Sequence, residues 1–196
     1  MKKLYFKYGT MCSSKSAQLL MTNFNYMQKG YNVLLIKPVI DTRDVSNGKT
    51  VIKSRIGLKA DCTTFSLNDN IYKLVKEQKG TQVVLVDEVQ FCTPKQIDQL
   101  KKLTLEDYIV ICYGLKTNFK GKLFAGSKRL LEIAESLQEI KSICRCGSKA
   151  IMNARIVNNM VITKGNEIEI GGDERYECMC YSCYQKYQKE QIPQTK

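Results

Sequence analysis

The sequence predicts an α/β fold, a mostly parallel sheet with helices on both faces and a small C-terminal lobe. Three observations carry the prediction. Residues 33–36, 83–86 and 108–112 are continuous apolar runs, so both side-chain rows of each strand are apolar and both faces of the sheet are covered. Patterns with helical periodicity alternate with these strands, the order in which crossover units build a parallel sheet. Beyond Ile140 the composition changes to four Gly, five Cys and short β-like runs among turns.

Each element follows from its local chemistry. Residues 3–8 give the first strand. Residues 15–28 give the first helix, with Ala17, Leu19, Leu20, Phe24 and Met27 at helical spacing and Gly30 beyond its end. Residues 32–37 form the second buried strand, followed by a polar loop over residues 38–50. Residues 68–79 read as an amphipathic helix with Ile71, Leu74 and Val75 inward and Gly80 after its end. Residues 82–86 are the third buried strand. Thr93-Pro94 is a cap followed by proline at the first helical position, opening a helix to about residue 102. Residues 108–112 form another strand and residues 126–137 a further helix. A boundary falls near Lys141, and the lobe beyond it carries β-like runs over residues 150–157 and 160–163.

Composition bounds the function. A chain of 196 residues suffices for one substantial domain and an appendage. It contains no apolar run of about 18 residues, so no membrane partner is expected. Residues 1–4 lead into a strand rather than a signal sequence. The expected location is the cytoplasm, where the nine Cys are not read as disulfides. There is no His, so a zinc site must use Cys or carboxylate, and a general base must be something other than imidazole. A net charge of +12 invites a nucleic-acid reading. Its distribution argues against one: residues 141–196 hold nine Lys/Arg and six Asp/Glu, and the remaining charge is spread without a dense basic block. A Lys-rich solvated surface that attracts small polyanions fits better.

Two segments carry chemistry. Val83-Val84-Leu85-Val86 leads directly into Asp87-Glu88. Burying an ionised carboxylate is costly unless it is paired or bound to a cation, so this pair is either a metal and general-base site or a solvated strand end. Gly9-Thr10-Met11-Cys12-Ser13-Ser14-Lys15-Ser16 lies between the first strand and the first helix and approximates the phosphate-binding pattern G-x-x-x-x-G-K-[ST]. There a tight turn aims amides at an anion, a helix start adds its positive end, a Lys reaches the outer phosphates and a hydroxyl reaches Mg²⁺. Lys15 and Ser16 fit those last roles and Gly9 fits the turn. Ser14 stands where the pattern has Gly, and its Cβ is expected to crowd the loop. Alone, this segment also reads as an ordinary strand–turn–helix. With Asp87-Glu88 on another strand of the same sheet, the two supply the parts of a P-loop NTPase-like nucleotide kinase core.

Cys144-Arg145-Cys146-Gly147 and Cys180-Tyr181-Ser182-Cys183 bracket the lobe and suggest a zinc-ribbon-like site of four thiolates, Cys144, Cys146, Cys180 and Cys183. Zinc suits a lobe with little core of its own. The alternative is a set of small buried residues or free thiols, and Cys178, two residues from Cys180, is a competing ligand. The chain thus divides into residues 1–140, a nucleotide-binding core; residues 141–191, a zinc-binding lobe; and residues 192–196, a tail.

Together these segments resemble the zinc-containing thymidine kinase family, the cellular and bacterial type with a P-loop core. The resemblance also runs through Lys37-Pro38 with Asp41 and Arg43, Ser54-Arg55-Ile56-Gly57, Val89-Gln90-Phe91, residues 113–119, Phe124-Ala125-Gly126-Ser127 and residues 170–176. Ser14 and Asn118 replace the family's usual Gly and Asp. The resemblance implies transfer of the ATP γ-phosphoryl group to the 5′-hydroxyl of deoxythymidine. Gly9, Thr10, Met11, Cys12, Ser13, Ser14, Lys15 and Ser16, with Asp87 and Gln90, would bind ATP. Ser16 and Asp87 would hold Mg²⁺, and Asp41, Arg43 and Arg55 would lie near the phosphates. Glu88 would accept the proton of the 5′-hydroxyl. Phe91, Leu115, Phe119, Phe124 and Tyr176 would surround the nucleoside, and Glu167, Ile168, Glu169, Ile170 and Gly171 would close over thymine through main-chain groups. The zinc would be structural, and a homotetramer is expected. Two readings compete: a DNA-associated ATPase carrying a zinc ribbon, with water as acceptor, and a non-catalytic zinc-binding interaction protein.

Overall fold

The computed structural model describes residues 2–40, 45–46, 49–165 and 176–190. Asp41, Arg43 and the segment Glu167, Ile168, Glu169, Ile170 and Gly171 lie outside the described residues.

The first half of the chain alternates as expected. Strand β1 (Leu4–Gly9) leads to helix α1 (Lys15–Gln28), then β2 (Val33–Pro38). Two short strands, β3 (Val45–Ser46) and β4 (Lys49–Lys53), and then β5 (Lys59–Asp61) form a small antiparallel ribbon that begins in the expected polar loop over residues 38–50 and continues beyond it. β6 (Thr63–Phe65) returns to the main sheet, followed by α2 (Ile71–Glu77), β7 (Val83–Val86) and a 3-10 turn (Val89–Phe91). Helix α3 (Pro94–Leu105) starts at the expected cap: Thr93 accepts from the Gln96 amide while the Gln96 side chain accepts from Thr93 N–H, a reciprocal box. β8 (Ile109–Gly114) and α4 (Ala125–Ile133) complete this part.

The expected helix over residues 126–137 ends early. Ala134 turns to extended backbone, and Ser136–Ile140 becomes β9, pairing parallel to β1 at the sheet edge. Edge pairing overrides a local sequence that has few apolar residues to mark it as a strand. The sheet order is β6-β2-β7-β8-β1-β9, parallel throughout.

Successive side chains of a strand face opposite sides, which explains why whole strands are apolar. Val84, Val86, Val110, Leu4 and Phe6 pack under α2, α3 and α4 through Ile71, Val75, Ile97, Leu100, Leu103 and Leu130. Val83, Leu85, Leu35, Ile111 and Tyr113 face the other way and meet Leu19 and Leu20 of α1 and Ile52 of β4.

The lobe comprises β10 (Ser142–Ile143), β11 (Lys149–Ala150), β12 (Met152–Val157), β13 (Met160–Ile162), β14 (Tyr176–Met179) and helix α5 (Tyr181–Tyr187). β13, β12 and β14 form one antiparallel sheet, and Asn158 and Asn159 take the two left-handed positions of the β12–β13 turn. The lobe has its own core of Ala150, Met152, Ala154, Val161, Met179 and Tyr184, against which Met11 packs from the other side. Among the described residues no helix is long and apolar enough to cross a membrane.

Candidate active site and metal centre

In an all-parallel sheet the carboxyl ends of the strands share one edge, where ligands bind in open α/β folds. Gly9 ends β1 there and Asp87 follows β7 there, with β8 between them.

The loop after β1 is tightly wound. A Cβ on Gly9 would lie 2.3 Å from Ser13 Oγ and 2.4 Å from the Ile140 carbonyl, so only glycine fits. The Thr10 carbonyl accepts from the Ser13 amide at 3.2 Å, Ser13 Oγ at 2.8 Å and Lys15 Nζ at 2.6 Å. Lys15 is buried, and burial lowers its pKa while Glu88 and Asp87 oppose that shift, which places both carboxylates within electrostatic reach of the ammonium. Ser14 caps α1 in the left-handed region, φ 57° and ψ 31°, with an exposed side chain. The expected crowding is therefore absent, and the backbone conformation is what favours glycine here. The first amides of α1 have no partner inside the helix and open toward the same edge.

The acid pair faces this loop. Asp87 is buried; one carboxylate oxygen accepts from Ser16 Oγ at 2.9 Å and the other from the Glu88 amide at 3.1 Å. Burial, and then the charge of Glu88, push the Asp87 carboxyl up to about 7. Glu88 is held at φ 51°, ψ 36°, a left-handed conformation that turns the chain sharply into the 3-10 turn. Its carboxylate accepts from Gln90 Nε2 at 2.5 Å. Gln90, 2% exposed, uses its other end to accept the Leu115 amide at 2.9 Å. Gly114 keeps room for it, since a Cβ there would lie 2.6 Å from Gln90 Oε1. Gln90 thus ties Glu88 to the end of β8.

Beyond the acid pair lies the aromatic side of the cleft. Phe91 and Phe124 meet edge to face, centroids 5.8 Å apart. Ser127 Oγ donates to the Leu115 carbonyl at 2.6 Å. Asn118 accepts from the Lys120 and Lys122 amides through its side-chain oxygen, a contact open equally to Asp. Phe119 is buried under the Arg155 guanidinium, and its carbonyl accepts from Tyr184 of α5 at 2.9 Å. Tyr176 pairs with Arg155 across β14 and β12, on the lobe side of Phe119. The charge of Arg55 lowers the Cys12 thiol, which puts the guanidinium within electrostatic reach of the loop after β1.

Three lobe residues hold the loop: Asn153 and Ser142, which carry no signal in the sequence, and Cys178, expected there only as a competing metal ligand. Asn153 Oδ1 accepts from the Met11 amide at 2.8 Å while its Nδ2 donates to the Thr117 carbonyl at 3.1 Å. Thr10 and Ser142 share a hydroxyl contact. Cys178 Sγ accepts from the Cys12 amide at 3.1 Å. A polar residue inside a short β pattern carries no sequence signal of this kind.

The thiols of Cys144, Cys146, Cys180 and Cys183 lie within 4.8 Å of one another, with Cys146 and Cys180 sulfurs 3.6 Å apart. Four sulfurs at about 2.3 Å from one ion stand about 3.8 Å apart, so the cluster fits tetrahedral zinc. Gly147, at φ 83°, closes the short first turn, its amide reaching the Cys144 carbonyl. Cys178 is outside the cluster, which settles the competition between it and the four.

Comparison with known proteins agrees with this geometry. The family model described as "Thymidine kinase" matches residues 2–184. A thymidine kinase of Legionella pneumophila (strain Philadelphia 1) is 44% identical, covering 97% of this chain and 92% of its own. That of Zymomonas mobilis is 44% identical over 92% of this chain and 94% of its own, and that of Rhodopirellula baltica 43% over 92% and 86%. A solved Bacteroides Pif1 bound to ssDNA overlays with a TM-score of 0.38 and 12% identity over 70% of this chain and 38% of its own, too distant to carry an argument. With the loop after β1, the acid pair after β7 and the four-thiol cluster each in place, the chain belongs to the thymidine kinase family.

Proposed function

We propose that this protein is a nucleoside kinase that transfers the γ-phosphoryl group of ATP to the 5′-hydroxyl of deoxythymidine, giving dTMP for nucleotide salvage. The observation that carries the reading is the convergence of Lys15, Ser16, Asp87 and Glu88 on one sheet edge, fixed by the Ser16–Asp87 hydrogen bond. Lys15 neutralises the outer phosphates, and the amides from Gly9 to Ser16 hold the rest. The hard oxygen donors of Ser16 and Asp87 fit Mg²⁺, which when bound offsets phosphate charge. Glu88 takes the proton of the attacking hydroxyl, positioned by Gln90, whose buried side chain is engaged at both ends and which we read as bracing Glu88 in place of the ATP contact expected of it. Arg55 lies on the phosphate side, with Asp41 and Arg43 expected there as well. Phe91, Leu115, Phe119, Phe124 and Tyr176 frame the nucleoside, over which residues 167–171 close.

The division at residue 140 separates the chemistry from the lobe, whose zinc we read as structural. Zinc-ligating thiols need a reducing compartment, which supports a cytoplasmic location. A homotetramer follows from the family resemblance. The test is a coupled kinase assay against the common nucleosides, with metal analysis of the same sample. Phosphorylation of deoxythymidine and one zinc per chain are expected; ATP turnover indifferent to deoxythymidine would refute the reading.

A further inference from the structure

Nothing in the mechanism uses the sulfur of Cys12 or Cys178, yet the fold brings them together. Cys12 is the exposed residue at the middle of the phosphate-binding loop, and Cys178 is buried on β14 of the lobe. Cys178 Sγ lies 3.1 Å from the Cys12 amide nitrogen, accepting its hydrogen bond. That places the Cys178 sulfur no more than about 4.6 Å from the Cys12 Cα, a span that a disulfide bridges.

We propose that Cys12 and Cys178 are an oxidation site, a thiol pair that closes into a disulfide and locks the phosphate-binding loop onto the lobe in a form that does not accept ATP. The consequence for ATP rests on the phosphate-binding role proposed above. An anion-binding loop turns successive amides toward the anion. Here the Met11 amide points at Asn153 and the Cys12 amide at Cys178. Turning these amides to a phosphate requires the loop to leave β14, and a covalent bond forbids it.

The chemistry balances with a peroxide as oxidant. The Cys12 thiolate attacks one peroxide oxygen, the O–O bond breaks and hydroxide leaves, giving a sulfenic acid. The Cys178 sulfur then attacks the Cys12 sulfur, the S–O bond breaks, and the Cys178 proton leaves with the hydroxide as water. Two thiols lose two electrons and one hydrogen peroxide becomes two waters. Cys12 suits the attacking role: the hydrogen bond from Cys178, and then the charge of Arg55, lower its thiol to about 6, and it is exposed. Cys178 suits the resolving role, buried beside it.

The experiment treats the zinc-loaded protein with hydrogen peroxide. It follows three quantities: the Cys12–Cys178 linked peptide by mass spectrometry, zinc retention, and ATP binding at equilibrium. A linked peptide, two mass units lighter than the reduced pair, is expected while zinc is retained. The fraction of chains linked should equal the fraction of ATP sites lost, dithiothreitol should restore both, and saturating ATP should slow linking at least tenfold. Absence of the link, its formation only after zinc loss, or linked protein that still binds ATP would overturn the proposal. Reduced protein that fails to bind ATP would instead indict the kinase reading, because the linked peptide is scored without reference to ATP.

Discussion

Ser14 and Glu88 share one conformation for different reasons. Both sit in the left-handed region, φ 57° and φ 51°. At Ser14 the conformation serves the turn alone, since the side chain is exposed. Ser14→Gly should therefore relieve about 1 kcal/mol of strain, visible as a rise of about 2–4 °C in melting temperature. At Glu88 the same turn aims the carboxylate, and Gln90 holds it. Gln90→Leu should lower kcat about tenfold while leaving the ATP Kd within about twofold, because it removes an orienting hydrogen bond rather than a phosphate contact. Asp87 makes a pH prediction. Its carboxyl, ordinarily near 3.8, is raised to about 7. Between those values the folded chain keeps a proton that the unfolded chain has released, so stability is lost as pH rises through the window. Thermal melts without added magnesium should show a lower melting temperature at pH 8 than at pH 5, and Asp87→Asn should reduce that difference.

At the scale of elements, legibility followed burial. β2, β7 and β8 were readable because strands covered on both faces are apolar throughout. The loop and the cap at Thr93 were readable because backbone chemistry restricts the residues that can stand there. β9 was not, since an edge strand with one shielded face has no such run, and α4 was read through into it. Helix α5 is hidden in the sequence because the spacing of Cys180 and Cys183 that suits metal ligands also suits a helix start, where Cys180 is the cap. Asn153 was hidden because its two partners, Met11 and Thr117, are far away in sequence. Its position revises what the lobe does. The lobe holds the loop after β1 through Asn153 and Cys178, and Phe119 through Tyr184. Removing zinc with a chelator, or Cys180→Ser, should thus raise the nucleoside KM, because Phe119 loses its tie to Tyr184. Asn153→Leu, which frees the Met11 amide for a phosphate, should lower the ATP KM with zinc content unchanged, which metal analysis beside steady-state kinetics would check.

At the scale of the whole molecule, a parallel sheet presents Lys15, Ser16, Asp87 and Glu88 along its carboxyl edge, and the sheet β13-β12-β14 with its cysteine cluster braces the loop after β1. The burial of Lys15 and Asp87 makes sense in that arrangement, since each offsets part of the other's cost. The central claim is that Glu88 removes the proton from a nucleoside hydroxyl at this edge. It is tested most directly by measuring deoxythymidine phosphorylation and ATP affinity side by side for the protein and for Glu88→Gln. A loss of at least about a hundredfold in kcat with the ATP Kd preserved is predicted; an unchanged rate would contradict it.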